Sequence, residues 1–121
     1  MRSASGLLLI CICFSLLPGC VKPPQGEADL RGEITRIGQA VGANVVQILV
    51  EERPGVEDGS DKAYVLVLKD EAVLRRAGDD YQRARISDLE EGLLVEIWFD
   101  GPVAESYPLQ GTARHVVIVA P

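Results

Sequence analysis

From Leu30 onward the chain carries short apolar runs separated by turn residues, with no sustained 3.6-residue period, and this pattern predicts an all-β domain. The clearest segment is Leu93 to Val119, read as two strands joined across a polar, turn-rich arch. Leu93, Val95, Ile97 and Phe99 point one way and Leu94, Glu96, Trp98 and Asp100 the other, which is the two-residue alternation of a strand. Asp100-Gly101-Pro102 ends that run, and Ala113 to Val119 is expected to be the closing strand.

The same reading applies upstream. Leu30, Gly32 and Ile34 alternate with polar neighbours, and Ile37 falls out of phase, so a bulge is expected near Arg36. Gly38 to Asn44 reads as a link, Val45 to Val50 as a second strand, and Glu51 to Asp61 as an acidic loop punctuated by Pro54-Gly55 and Asp58-Gly59. Ala63 to Leu68 is an unbroken apolar run, expected to form a central strand buried on both sides. A short strand begins at Ala72, and Arg75 to Arg85 reads as a hairpin tip around Gly78-Asp79-Asp80. Ile86 to Gly92 looks like one helical turn, with Ser87 as cap, Glu90 at the capping-box position and Gly92 as the left-handed exit. Five or six strands with one helical turn before the penultimate long strand predict a small Greek-key barrel of the OB type over residues 30–121. The alternatives are an SH3-like barrel or a small sandwich.

The first residues follow a different logic. Met1-Arg2 gives a positive start, Gly6 to Leu17 an apolar run too short to span a bilayer, and Leu17-Pro18-Gly19-Cys20 a small-residue cleavage region. This stretch resembles the bacterial lipoprotein box, with Leu17, Gly19 and Cys20 in the matching positions. The resemblance implies a signal peptide over residues 1–19, lipid transfer to the Cys20 thiol, and palmitate-type acylation of the new amine. Residues 20–29 then form the lipidated Cys and a tether, since VKPPQGEA has no apolar period; fully extended it would reach at most about 30 Å. Cys11 and Cys13 fall in the discarded run, so Cys20 is left alone and neither a disulfide nor a thiolate metal site is expected.

Loss of residues 1–19 leaves 11 Lys and Arg against 18 Asp and Glu, a formal charge of −7. That sign opposes phosphodiester backbones and anionic headgroups, so nucleic acid is not an expected partner and membrane attachment is assigned to the acyl chains. The four arginines Arg75, Arg76, Arg83 and Arg85 read as solvated faces of the hairpin.

The remaining chemistry is sparse. His115 is the single histidine, and a hydrolytic triad would pair it with Ser106 and with Asp100 or Glu105, but no nucleophile-elbow spacing surrounds Ser106. His115 is therefore expected at a solvent-facing or rim position. Glu57, Asp58 and Asp61 are the tightest acidic group and lack the spacing of a calcium loop, so no metal and no cofactor is expected. An outward Trp98 beside Glu105, Ser106 and Tyr107 is the candidate binding surface, offering an aromatic platform for a saccharide or peptide.

The entry Leu89-x-x-Gly92-x-x-Val95 and the segment Gly101-Pro102-Val103-Ala104-Glu105-Ser106-Tyr107-Pro108 followed by Ala113 resemble the YobA-like family of small bacterial secreted or lipoprotein domains. The resemblance implies an OB-like barrel of uncharacterised function, with no catalytic residues to carry over. Together these readings describe a membrane-anchored envelope lipoprotein, facing the periplasm or exterior, and on the outer membrane where there is one. Its barrel is expected to be a non-catalytic binding or interaction module. The other readings are a structural accessory of an envelope assembly and, as a distant third, a hydrolase using Ser106 and His115.

Overall fold

The computed structural model describes residues 21–39, 45–52, 62–104 and 109–120. Among them lie seven strands: β1 (Leu30–Gln39), β2 (Val46–Glu51), β3 (Lys62–Val67), β4 (Val73–Ala77), β5 (Asp80–Arg83), β6 (Leu94–Phe99) and β7 (Leu109–Ala120). They form one sheet in the order β3-β2-β1-β6-β7-β4-β5, and β3 also pairs with β7. That extra pairing closes β1, β2, β3, β6 and β7 into a five-stranded barrel, and β4 and β5 hang from it as an added hairpin. The all-β, OB-like architecture expected from the sequence is therefore present.

Closure depends on strands that serve two neighbours. The first residues of β1, Leu30 to Glu33, pair antiparallel with β6, and Glu33 to Gln39 pair with β2. Between the two registers the strand must bend sharply, and two features of the sequence allow it. The register slips between Ile34 and Arg36, a bulge that increases local twist and accounts for the out-of-phase Ile37. At Gly32 the backbone lies directly on β2: an added Cβ would sit 2.6 Å from the carbonyl carbon of Glu51 and 2.9 Å from the amide nitrogen of Glu52. β7 is the second shared strand. Leu109 to Thr112 run parallel to β3, Val116 to Ile118 parallel to β4, and β6 lies antiparallel along the other edge.

The barrel interior is filled by Ile34, Ile48, Val50, Val65, Val67, Val73, Val95, Ile97 and Val116, all fully buried. These β-branched side chains suit the crowded, pleated surface on which strands pack. Several expectations shift. The stretch 93–119 is a hairpin, not an arch, because Val95 pairs with Ile118 and Ile97 with Val116 in the same sheet. Its second strand begins at Leu109, four residues before Ala113, where the parallel partner β3 takes up the backbone groups of a polar sequence. β3 is buried on one face only, since Ala63, Val65 and Val67 point inward while Tyr64 and Leu66 are half-exposed and Leu68 is 49 % exposed. The helical turn is a 3-10 turn over Ile86–Asp88, and its cap is Asp88, whose carboxylate accepts the Arg85 amide at 2.9 Å, in place of the expected Ser87 and Glu90. Gly92 does take the left-handed exit, at φ 93°.

The Gly32 crossing gives a direct test. Gly32→Ala forces β1 and β2 apart and is expected to destabilise the barrel by about 1–3 kcal/mol in urea unfolding; a change below about 0.5 kcal/mol would show that the strands accommodate the methyl group without cost.

Candidate functional site

The outward face of β6 and β7 is not left to solvent. Trp98, Val117 and Leu74 of β4 form a second apolar cluster, with Tyr81 of β5 at its margin and Val21 and Ala28 packed against it. Residues 21–28 thus cross the sheet as a strap. The indole Nε1 of Trp98 donates to the Gly26 carbonyl at 3.2 Å, the Asp29 amide donates to the Ile97 carbonyl at 2.8 Å, and the Asp29 carboxylate accepts the Phe99 amide at 2.9 Å. Lys22 to Gln25 run beside Arg114 and His115. An outward tryptophan needs apolar cover and an acceptor for its N–H, and the strap supplies both. Pro23 and Pro24 have little backbone freedom to lose, which lowers the cost of holding the segment down.

This corrects two expectations. Residues 21–28 do not act as a solvated tether, and Trp98, 5 % exposed, presents no open platform for stacking. Glu105, Ser106 and Tyr107, the other members of the expected binding surface, lie outside the described residues, as do Cys20 and the acidic Glu57, Asp58 and Asp61.

Two carboxylates are buried on the outer faces of the strands, and each is neutralised. Glu96 accepts Arg31 Nε on one oxygen and Arg76 Nη2 on the other, both at 2.7 Å. Arg76 also donates to the Tyr81 hydroxyl at 3.3 Å and lies 5.6 Å from that ring's centre. The carboxylate ties β1 and β6 to β4 across the intervening β7. Glu51 accepts the Thr35 hydroxyl and faces Lys62 Nζ at 3.4 Å. The Thr35 hydrogen bond, ahead of Lys62 and Arg36 and against the opposing effect of burial, holds the Glu51 carboxyl below its ordinary range. Both groups are spent as ion-pair partners, so neither is placed to shuttle protons.

His115 sits opposite Trp98 on β7 and is half-buried, not at an open rim. Its Nδ1 is buried without a hydrogen-bond partner among the described residues. Burial first, then the cations Arg114 and Lys69, push its pKa down from the ordinary histidine value. Asp100 lines the same groove as His115, yet no carboxylate among the described residues orients the ring as a triad requires. Nor do the described residues contain a group of three His, Cys, Asp or Glu able to hold a metal ion.

The wall made by β2, β3 and the start of β7 is different. Leu49 stands opposite Tyr64 and Gln47 opposite Leu66, and across the parallel pairing Tyr64 and Leu66 meet Gln110 and Thr112. Leu49, Tyr64 and Leu66 are half-exposed and belong to neither apolar cluster. The signal for this strip was in the sequence: Tyr64, Leu66 and Leu68 follow one strand parity, and an apolar residue on both parities reads equally as a doubly buried strand. A shallow groove of about 590 Å³ opens beside the mouth of the β6–β7 loop, between Asp29, Phe99, Gly101, Val103, Leu109 and Arg114.

Over residues 46–120, well over half of the chain, the sequence matches the model of a family described as a protein of unknown function (DUF3221). The match begins with β2 and ends in β7, so β1 and the strap lie ahead of it. No curated protein and no solved structure matches the chain. The chain belongs to the DUF3221 family.

The single tryptophan and single histidine make the covered face easy to read in solution. Deleting residues 21–28 is expected to move Trp98 emission to longer wavelength and to raise its quenching by acrylamide; unchanged quenching would mean that the strap does not cover the indole. A depressed histidine pKa means fewer protons bound in the folded state, so the His115 contribution to stability is complete above about pH 6.5 and declines as pH falls below it. Proton NMR of the ring should give a midpoint below 6.5, and a midpoint at or above that value would contradict the buried, cation-flanked setting.

Proposed function

We propose that this member of the DUF3221 family is a lipid-anchored envelope protein whose barrel is a non-catalytic binding module, with the ligand held on the β2–β3–β7 wall. The observation that carries the reading is the strip of half-exposed Leu49, Tyr64 and Leu66, bordered by the polar Gln47, Gln110 and Thr112. An outward apolar strip with polar groups at its margins is the composition of a recognition surface. Barrels of the OB type take up elongated ligands on the face of their second and third strands, between the loops at its edges. Here those strands are β2 and β3, and the segment containing Glu105, Ser106 and Tyr107 leads directly into β7 beside them.

The excess of acidic residues argues against a nucleic acid and leaves a saccharide or peptide as the ligand class. The anchor is supported by Leu17, Gly19 and Cys20 in their lipoprotein-box positions after the apolar run. The likeness of Gly101 to Pro108 to the YobA-like family supports the same assignment. Against hydrolysis stands His115, whose buried Nδ1 has no orienting carboxylate among the described residues.

Two experiments separate the parts of this reading. Cys20→Ala is expected to abolish palmitate labelling and membrane retention, and continued labelling would remove the anchor. Titrating the soluble domain with a chito-oligosaccharide, and separately with a proline-rich peptide, is expected to shift the amide resonances of Gln47, Leu49, Tyr64, Leu66, Gln110 and Thr112. Tyr64→Ala should remove that response while changing the unfolding free energy by no more than about 0.5 kcal/mol, as for other surface substitutions. Shifts gathered on another face, or on none, would relocate or remove the module, and co-purification of an envelope protein without any such response would favour the structural-accessory role.

A further inference from the structure

We propose that the outward face of β4, β5, β6 and β7 rests on the phospholipid surface, with the strap fixing the barrel in that orientation. This rests on the lipid-anchored reading of Cys20. Val21 packs against Leu74, Trp98 and Val117, so the chain is already held to the barrel one residue after the anchor. Consecutive Cα atoms are about 3.8 Å apart. The acyl chains therefore leave the protein beside this cluster, and the bilayer surface lies next to it instead of at the end of a long arm.

The composition of the face suits that position. Arg83 stands opposite Leu74, and Arg76 opposite Tyr81, on the outward side of the hairpin. Lys22 lies in the strap and Arg31 on the adjoining strand. The buried carboxylate here, Glu96, is shared between Arg31 and Arg76. Asp70 and Glu71 flank Arg83 at the base of the hairpin, and the Asp70 carboxylate is engaged by the Ile86 amide at 2.9 Å. Two exposed apolar side chains, Leu94 at 44 % and Val119 at 37 %, lie at the ends of β6 and β7. The far wall carries Glu33, Glu51 and Glu52, with Lys62 and Arg36 set against the buried Glu51. Beside its anchor the chain thus offers Lys22 and Arg83 to anionic headgroups, next to the exposed Glu27 of the strap and Asp79 of the hairpin tip. The arrangement also leaves the β2–β3 wall clear of the membrane.

The lipidated mature protein in vesicles of phosphatidylethanolamine and phosphatidylglycerol tests the orientation. With its one Cys blocked by the lipid, single labelling sites can be placed at Arg83→Cys, on the proposed contact face, and at Gln47→Cys, on the far wall. A spin label at position 83 is expected to be several-fold less accessible to a water-soluble nickel relaxant than one at position 47. An insert of about ten Gly and Ser residues between Cys20 and Val21 leaves the barrel untouched but lengthens its leash, and the difference should then disappear. Equal accessibility in the vesicle-bound parent protein would overturn the orientation while leaving the anchor intact. A difference that survives the insert would overturn the role of the strap. Protein that fails to pellet with vesicles would remove the anchor, and the orientation with it.

Discussion

A five-stranded sheet closes on itself only if its strands can pair on both edges through a tight curve, and in this chain β1 bears most of that bend. It pairs with β6 in its first half and β2 in its second, and the change of partner falls where Gly32 lies against the Glu51 backbone. A side chain there would hold the strands apart and open the seam; the bulge beyond Ile34 completes the turn. Everything else follows from closure: the inward alternation of Val and Ile, the parallel contact of β3 with β7, and a free second half of β7 that accepts the β4–β5 hairpin.

That hairpin gives the outside of the barrel a structure of its own. Without it, the outer residues of β6 and β7 would be a solvated face. With it, Trp98, Val117 and Leu74 form a small second core roofed by the strap, and Glu96 becomes the polar link between separate strands. The price of burying a carboxylate is offset by two arginines at 2.7 Å, both still partly in water. One wall of the barrel is thereby closed and another, carrying Leu49, Tyr64 and Leu66, is left open.

Much of the fold was legible because it depends on local alternation. The out-of-phase Ile37 announced the bulge, and Leu93 to Phe99 announced β6. What alternation cannot report is what lies on top of an outward residue. Trp98 and Glu96 were assigned correctly to the outer parity of β6, but outer means exposed only if no other segment covers it, and VKPPQGEA has no periodicity that would declare it a cover. The early start of β7 was hidden for a related reason: Leu-Gln-Gly-Thr is a poor strand by composition and is held in place by its pairing with β3, distant in sequence. Net charge was similarly blind to distribution, since a total of −6 says nothing about which wall carries the arginines.

The position of β7 in the chain has a kinetic consequence. β7 is the partner of β3, β4 and β6, so three of the seven strand pairings among the described residues, including the one that closes the barrel, wait for it. A polypeptide delivered from its first residue onward can form the β1–β2–β3 meander and the β4–β5 hairpin early, but it cannot seal the core until residues 109–120 arrive. Its folding is therefore dominated by contacts between segments far apart in sequence, which makes it slow relative to a helical domain of equal length.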